Sequence, residues 1–519
     1  MITVSDAWND IQRRFLLPES FVEIDIGFTD EEAQRVATAS GTDEAIFSNA
    51  ASVVGTSSSV TKYATNELNL WALDGTRTIL YSSGAYSNAG YVSDIASTGS
   101  ITVNFPVIQS TAISGVTITW SNKFGEYAKV FSVIGKYGES IVSEVTITDN
   151  KNQVSTVFIP LENYNSVTVI VHEWSVPYRR ARIEKIVMGH LVTFTKKDLL
   201  NFVHEQDGDL LSGKVPKYSI EFSLDNSDGR WDPNNPTSMA QYLFERQKLT
   251  VRYGMDINGS TEWIKAGVFY LSEWNAPPNG LEARFVARDT FEFLLNSDVN
   301  GFYMGGNLSA IITGASSSLL PKDSKIESDP VLANTSFREV NVTESTTAAE
   351  IVQKCAHAGC CVMRYDRDGI FHVEPFNQAL ADYIIMDEEK GITGIPLSLS
   401  YSYPELTLSK PLREVSVNYG EESTHKLVVS ESGEQQTVSN DYIYDDTQAA
   451  LVAAWVRDVL KTRKTISGEF RADPRLDLYD VVNVEDRYGK LLPVAITNIK
   501  YTYNGSFRGS YTGRVLEVT

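Results

Sequence analysis

The chain has 519 residues, of which 42% are apolar and 11% aromatic. It is too long for a single core and too apolar for a disordered chain, and usual domain sizes divide it into roughly three or four units. A formal net charge of −21 argues against nucleic acid or an anionic membrane as the main partner, since both reward surfaces rich in Lys and Arg.

Along residues 1–20, Asp6, Asp10, Arg13 and Arg14 interrupt any long apolar run, so this stretch does not read as a secretion signal. No stretch approaches the ~18 apolar residues that a membrane helix requires. The spacing predicts an amphipathic helix over 4–15, with Ser5 as its N-cap and Pro18 beyond its end. A strand follows, with Val22, Ile24, Ile26 and Phe28 on one face and Glu23 and Asp25 on the other. From about 37 to 59 the composition turns to Ser, Thr, Ala and Gly, a loop leading into a separate module over 38–189.

That module reads as all-β. Val116, Ile118 and Trp120 alternate with threonines, as do Val145 and Ile147, and Val167, Val169 and Val171 keep the same period. Short β-branched runs separated by turn residues predict an antiparallel sandwich without long helices. Beyond 190, Tyr218, Ile220, Phe222 and Leu224 form one strand face, followed by a turn-rich segment over 225–236. More strands are expected near 249–253, 266–273 and 282–289, and a Gly-, Ser- and Asn-rich connector over 301–345. A helix is predicted from Thr346 or Thr347, with Ile351, Val352 and Cys355 on one stripe; a hairpin turning at Asp368-Gly369 follows it. The strongest helical pattern is 447–461, where Val452, Val456 and Val459 share a stripe. Strands return over 465–519. The fold class expected is mainly β with a few short helices.

No catalytic signature stands out: there is no GxSxG, HExxH, P-loop or strand-to-helix GxGxxG. Asp225, Asn226, Asp228 and Gly229 suggest a calcium loop, but with Gly229 in the sixth position the first ligand would be Leu224, so an Asx turn is preferred. Cys355, Cys360 and Cys361 form an odd cluster, which makes no disulfide framework and implies folding in a reducing compartment. His357 and His372 lie nearby without metal-ligand spacing, so the thiols read as small apolar packing groups; no metal and no cofactor are expected. His425 beside Glu421 and Glu422 reads as a solvated loop. In the module, Trp71, Tyr81, Tyr86, Tyr91, Trp174 and Tyr178 include rings outside strand alternation, which suit sugar stacking with Asp, Asn and Arg on the hydroxyls. The alternative is that Trp71 and Trp174 cap the sandwich core.

Three segments, in order, resemble the central hub proteins of tailed-phage tail tips and contractile baseplates. Residues 219–233 are similar to the strand and "LDNxDGxxxP" turn of the first hub barrel, and 346–375, through Glu374-Pro375, to the helix and "DRDG" hairpin. Residues 473–482 are similar to "DPxLxxGDxV", with Tyr479 where a Gly is usual. The resemblance covers roughly 1–30 and 190–519. The module resembles discoidin-like, galactose-binding jelly rolls through 71–75, 101–120 and 167–189, a family that commonly binds carbohydrate at one end.

These resemblances imply a helix and first hub strand over 1–37, an inserted jelly roll over 38–189 and a first hub β-barrel over 190–300. A connector over 301–345, a helix-hairpin subdomain over 346–445 and a helix with a second barrel over 446–519 would follow. They imply a non-enzymatic tail hub in the virion, assembled in the host cytoplasm as a homotrimer around the channel. Its partners would be the distal tail ring, the tape measure and tail fibres or a tip protein, with phage DNA passing but not bound. Host glycan would be met through Trp71, Asp74, Tyr86, Trp174, Tyr178 and Arg179. A glycan-binding adhesin is the second reading, a tail-associated lysin the third.

Overall fold

The computed structural model describes residues 2–517 apart from 15–17, 30–33, 35, 46–47, 55–89, 111–112, 122–123, 236–237, 278–279, 298, 300, 304–305, 322–323, 338–339, 343–345, 387–396 and 421–422. The fold is mainly β, with short helices, in two compact units. The smaller comprises Ile26–Thr193 with Met239–Leu243; the larger comprises Met1–Asp25, Phe194–Ser238 and Phe244–Thr519.

The smaller unit is a sandwich. One sheet runs in the order Thr38–Thr42, Gly99–Gln109, Tyr164–Trp174, Ala128–Tyr137 and Ser140–Ile147, every pair antiparallel. A second layer sets Ile113–Thr119 between Lys185–Phe194 and Val154–Leu161. Strict alternation fills the space between the layers: Val103, Val133 and Val169 from the first sheet share one core with Val116, Ile159 and Ile186 from the second. Trp120 is buried in it, edge-on to Phe131 at 4.9 Å.

In the larger unit, Leu199–Asp207 is the keystone strand. It pairs with Lys217–Asp225 on one side and, from Phe202↔Tyr503 to Asp207↔Asn498, with Leu491–Tyr503 on the other. Residues 190–300 and 446–519, expected as two separate barrels, therefore share a sheet. The path continues through Glu282–Arg288, Ser260–Asn275 and Lys248–Ile257 on one flank, and through Val481–Glu485 and Leu380–Met386 on the other. Ser20–Thr29 lies between Lys248–Ile257 and Lys185–Phe194.

Capping residues set the helix starts. Ser5 accepts from the Trp8 N–H ahead of Asp6–Arg13, Thr347 from Glu350 ahead of Ala348–Ala358, and Asp445 from Gln448 ahead of Asp446–Leu460. The expected connector 301–345 contains a nine-residue helix, Leu308–Ser316, capped by Asn307. Its apolar stripe of Leu308, Ile311, Ile312 and Ala315 is buried; the surrounding Gly and Ser hide it in the composition. The hairpin between Cys361–Tyr365 and Phe371–Pro375 turns through five residues rather than a tight two, because the Asp366 carboxylate accepts from both Asp368 and Ile370 N–H.

Segment 225–235 is built from Asx turns. Asp225, Asn226 and Asp228 accept from the N–H groups of Ser227, Trp231 and Arg230 in turn, and Gly229 takes φ +71°. Their oxygens hold the chain while Trp231 is buried against Phe285 at 5.0 Å. Cys355 and Cys361 are buried; burial pushes the Cys360 thiol up to about 12, an unreactive group at neutral pH. Among the described residues no group of three or more His, Cys, Asp and Glu could hold a metal ion.

Candidate functional site

Of the residues expected at a glycan site, three lie in the described sandwich. Trp174 closes the strand Tyr164–Trp174 and is only 2% exposed. Its ring meets Trp120 edge-on at 6.1 Å and its indole N–H donates to Glu126 Oε2 at 2.8 Å. Such a ring has no face for a sugar: Trp174 is a core residue, and its expected binding role is corrected. Tyr91, considered for its ring, is also buried, with its hydroxyl donating to the Thr42 carbonyl. Trp71, Asp74, Tyr86 and Tyr81 lie outside the described residues.

Tyr178 and Arg179 stand on the short turn between Tyr164–Trp174 and Arg180–Ile183. The turn is pinned at both ends. Ser175 N–H donates to Tyr127 O and its hydroxyl accepts from Tyr127 N–H, while the Arg179 carbonyl accepts from Ser97 N–H. Tyr178 itself is 93% exposed at φ +62°. A bulky residue pays about 1–2 kcal/mol for that conformation and gains no burial in return. Beside it, Arg179 pairs through Nε with Glu126 Oε1 at 3.2 Å, the same carboxylate that holds Trp174. Arg179 and Arg182 both approach the Phe124 ring, at 5.6 and 4.6 Å. Burial pulls Arg182 down to about 10, still charged at neutral pH. Arg180 reaches the Asp94 carboxylate at 3.0 Å. The corner thus offers an exposed aromatic plane flanked by arginines already matched to carboxylates, which suits a neutral, hydroxyl-rich ligand better than an anion. Phe124 and Glu126 carry no sequence signal for this role; the fold brings them to Arg179.

In the larger unit, the segment 473–482 forms a buried polar latch. Arg475 binds Asp473 through Nε at 2.8 and 2.9 Å, both side chains almost fully buried, and the Tyr383 hydroxyl donates to Asp473 at 3.0 Å. Arg475 also reaches Asn9 of the first helix. Arg367, from the five-residue hairpin turn, binds both oxygens of Asp477 and donates to the carbonyls of Lys265 and Pro474 at 2.8 and 2.7 Å. Burial raises the Asp477 carboxyl; Arg367 outweighs it and holds the group below its ordinary value. Tyr479, at the position where the family pattern has Gly, adopts φ +69°, and its hydroxyl donates to Asp209 O at 3.2 Å. Gly208 makes room for it: a Cβ there would lie 2.4 Å from the Tyr479 hydroxyl. These carboxylates are all engaged by Arg, Tyr or Gln donors, an arrangement that fixes turns and does not activate a nucleophile.

No family model and no curated protein sequence matches the chain. Among solved structures, it is similar to the 43 kDa tail protein of prophage MuSo2 from Shewanella oneidensis, at 12% identity, covering 63% of this chain and 95% of that one, with a TM-score of 0.44. It is similar to the tail protein from Neisseria meningitidis MC58 at 10% identity, with coverage of 61% and 92% and a TM-score of 0.45. It is also similar to a chitosan-binding module of a chitosanase/glucanase from Paenibacillus sp. IK-5 at 17% identity, with coverage of 30% and 96% and a TM-score of 0.20.

Proposed function

We propose that the chain is a non-enzymatic structural hub of a bacteriophage tail tip or baseplate, and that its sandwich meets host glycan. In this reading three copies surround the tail channel in the virion, having assembled in the host cytoplasm. They hold adjoining tail proteins such as the distal tail ring, the tape measure and fibres or a tip protein. Phage DNA passes through and is not retained, in keeping with a chain of net charge −21. The observation that supports the hub reading is the latch at 473–482: Tyr479, at the position where the hub pattern has Gly, takes the left-handed conformation that Gly adopts freely, at φ +69°.

Light scattering on the purified chain tests it. A mass near three times 57.6 kDa supports the hub; a strict monomer at micromolar concentration, alone and with the adjoining tail protein, counts against it. Tyr178 favours the second reading, an adhesin for a neutral glycan. On a glycan array, Tyr178→Ala is expected to weaken any neutral-sugar signal about tenfold, the loss of ~1.4 kcal/mol of stacking. A signal unchanged by Tyr178→Ala removes that corner from the reading.

A further inference from the structure

The strand Glu434–Ser439 lies at the edge of a three-stranded sheet and, among the described residues, pairs only with Leu412–Tyr419, in parallel. Glu434 N–H donates to Pro411 O at 2.8 Å and Asn440 N–H to Asn418 O at 3.0 Å. Alternation therefore turns the even-numbered peptide groups inward and presents the N–H and C=O of Gln435, Thr437 and Ser439 outward. Such a row is a template for another strand. Residues 434–437 and 439 are exposed, and 436–440 form one wall of an open cleft of about 590 Å³ within the larger unit.

A second wall is the stripe Glu350, Gln353, Lys354 and His357 of the helix Ala348–Ala358, which share one face at i, i+3, i+4 and i+7 spacing. The loop from Asp209 to Val215 makes the third. The walls are tied together in advance: Asn440 Nδ2 donates to Lys354 O at 2.8 Å, Gln353 Nε2 to Ser212 O at 3.2 Å, and Ser212 Oγ to Cys361 O at 2.8 Å. Each charged side chain of the lining is already engaged. Lys354 is paired with Glu350 at 3.0 Å, His357 is held neutral by burial, and the Asp209 carboxylate accepts from the Leu211 and Gly213 N–H groups at 3.0 and 2.9 Å. An unpaired charge brought into this cleft would lose solvation without gaining a counter-ion.

We propose that this cleft is a strand-addition site for an extended, uncharged segment of a partner protein, held by backbone hydrogen bonds to Thr437 and Ser439 and by small or hydroxylated side chains against Val438 and Leu211. The cleft holds a short extended peptide, and preformed walls lower the ordering cost of binding. The site is independent of the sandwich and of any glycan.

A random heptapeptide display library selected on the full chain tests the proposal. Two variants accompany it: Thr437→Pro, which removes one outward N–H from an edge where proline is tolerated, and Glu350→Trp, which fills the cleft without touching the strand. The expected result is enrichment of uncharged, β-prone peptides. Their affinity should fall at least about tenfold with either variant, and they should slow amide exchange at Thr437 and Ser439 in the wild-type chain. Failure of any peptide to enrich, or enriched peptides indifferent to both variants, overturns the proposal. So does a change in oligomeric mass on Thr437→Pro, because the edge would then belong to a second copy. An unchanged trimer with lost peptide binding separates this site from the hub assembly.

Discussion

Tyr479 and Tyr178 both hold backbone conformations with φ above +60°, yet one is 7% and the other 93% exposed. Tyr479 offsets its strain by packing beside Gly208 and by its bond to Asp209 O. Tyr479→Ala should keep the strain and lose the packing, lowering stability by about 3 kcal/mol, while Tyr479→Gly should recover about 1 kcal/mol of that. Urea midpoints of the two variants check the order; Ala equal to Gly would mean that the strain is negligible. A second residue-scale effect lies in the buried histidines. Burial lowers His204, whose Nδ1 lies 2.6 Å from the Tyr253 hydroxyl, to about 3, and lowers His357 to about 4. The unfolded chain takes up protons near 6.5 that the folded chain refuses, so stability is full above that pH and is lost progressively as pH falls towards 4 and 3. His204→Gln should flatten the acid limb between pH 6 and 4 by about 1 kcal/mol per pH unit; urea titrations at several pH values read it directly. Sequence pattern located Tyr178 and Arg179 as candidates but could not separate them from Trp174, because what distinguishes them is whether the ring ends inside the core, and that depends on pairing with strands tens of residues away.

At the scale of elements, local chemistry was legible where one short stretch contains the whole signal. Ser5, Thr347 and Asp445 each cap the helix that the apolar period foretold, and 225–235 turns on its own Asx side chains. The helix Leu308–Ser316 was not legible, since two turns of apolar residues inside a Gly- and Ser-rich stretch look like a connector until a partner buries them. The pairing of Leu199–Asp207 with Leu491–Tyr503 was likewise invisible: register over almost three hundred residues leaves no local mark. Arg367 shows how such distant elements are tied, reaching from a hairpin turn to Asp477 and two carbonyls. Its planar fork makes all these bonds at once, and a lysine cannot. Arg367→Lys is therefore expected to cost on the order of 3 kcal/mol, since Asp477 keeps its burial and loses its bidentate partner. A thermal midpoint within one degree of the parent would refute the latch.

At the scale of the whole molecule, the sandwich is proposed to be an insertion that folds independently of the hub-like remainder. Its strands close on one core, with both layers contributing, and the chain segments that enter and leave it lie side by side. Gln34, just past the first strand, donates through Nε2 to Ile186 O at 2.8 Å and accepts through Oε1 from Met188 N–H at 2.9 Å. A chain that departs and returns at neighbouring positions can be shortened between them without stretching what remains, and a short flexible link adds little closure entropy. Replacing 38–189 with a Gly/Ser link should thus leave a soluble remainder with β-type circular dichroism and the oligomeric mass of the full chain. The excised sandwich, made alone, should melt cooperatively around the Trp120, Phe131 and Trp174 cluster. The exposed edge that excision leaves beside Ser20–Thr29 is the point of risk, because Lys185–Phe194 is one of that strand's two neighbours. Retaining 185–193 in a second deletion, 38–184, keeps that neighbour. If both deletions aggregate or lose their sheet signal, the sandwich is an integral part of the fold and the insertion reading fails. If only the shorter deletion folds, the boundary lies at 185 and the insertion stands.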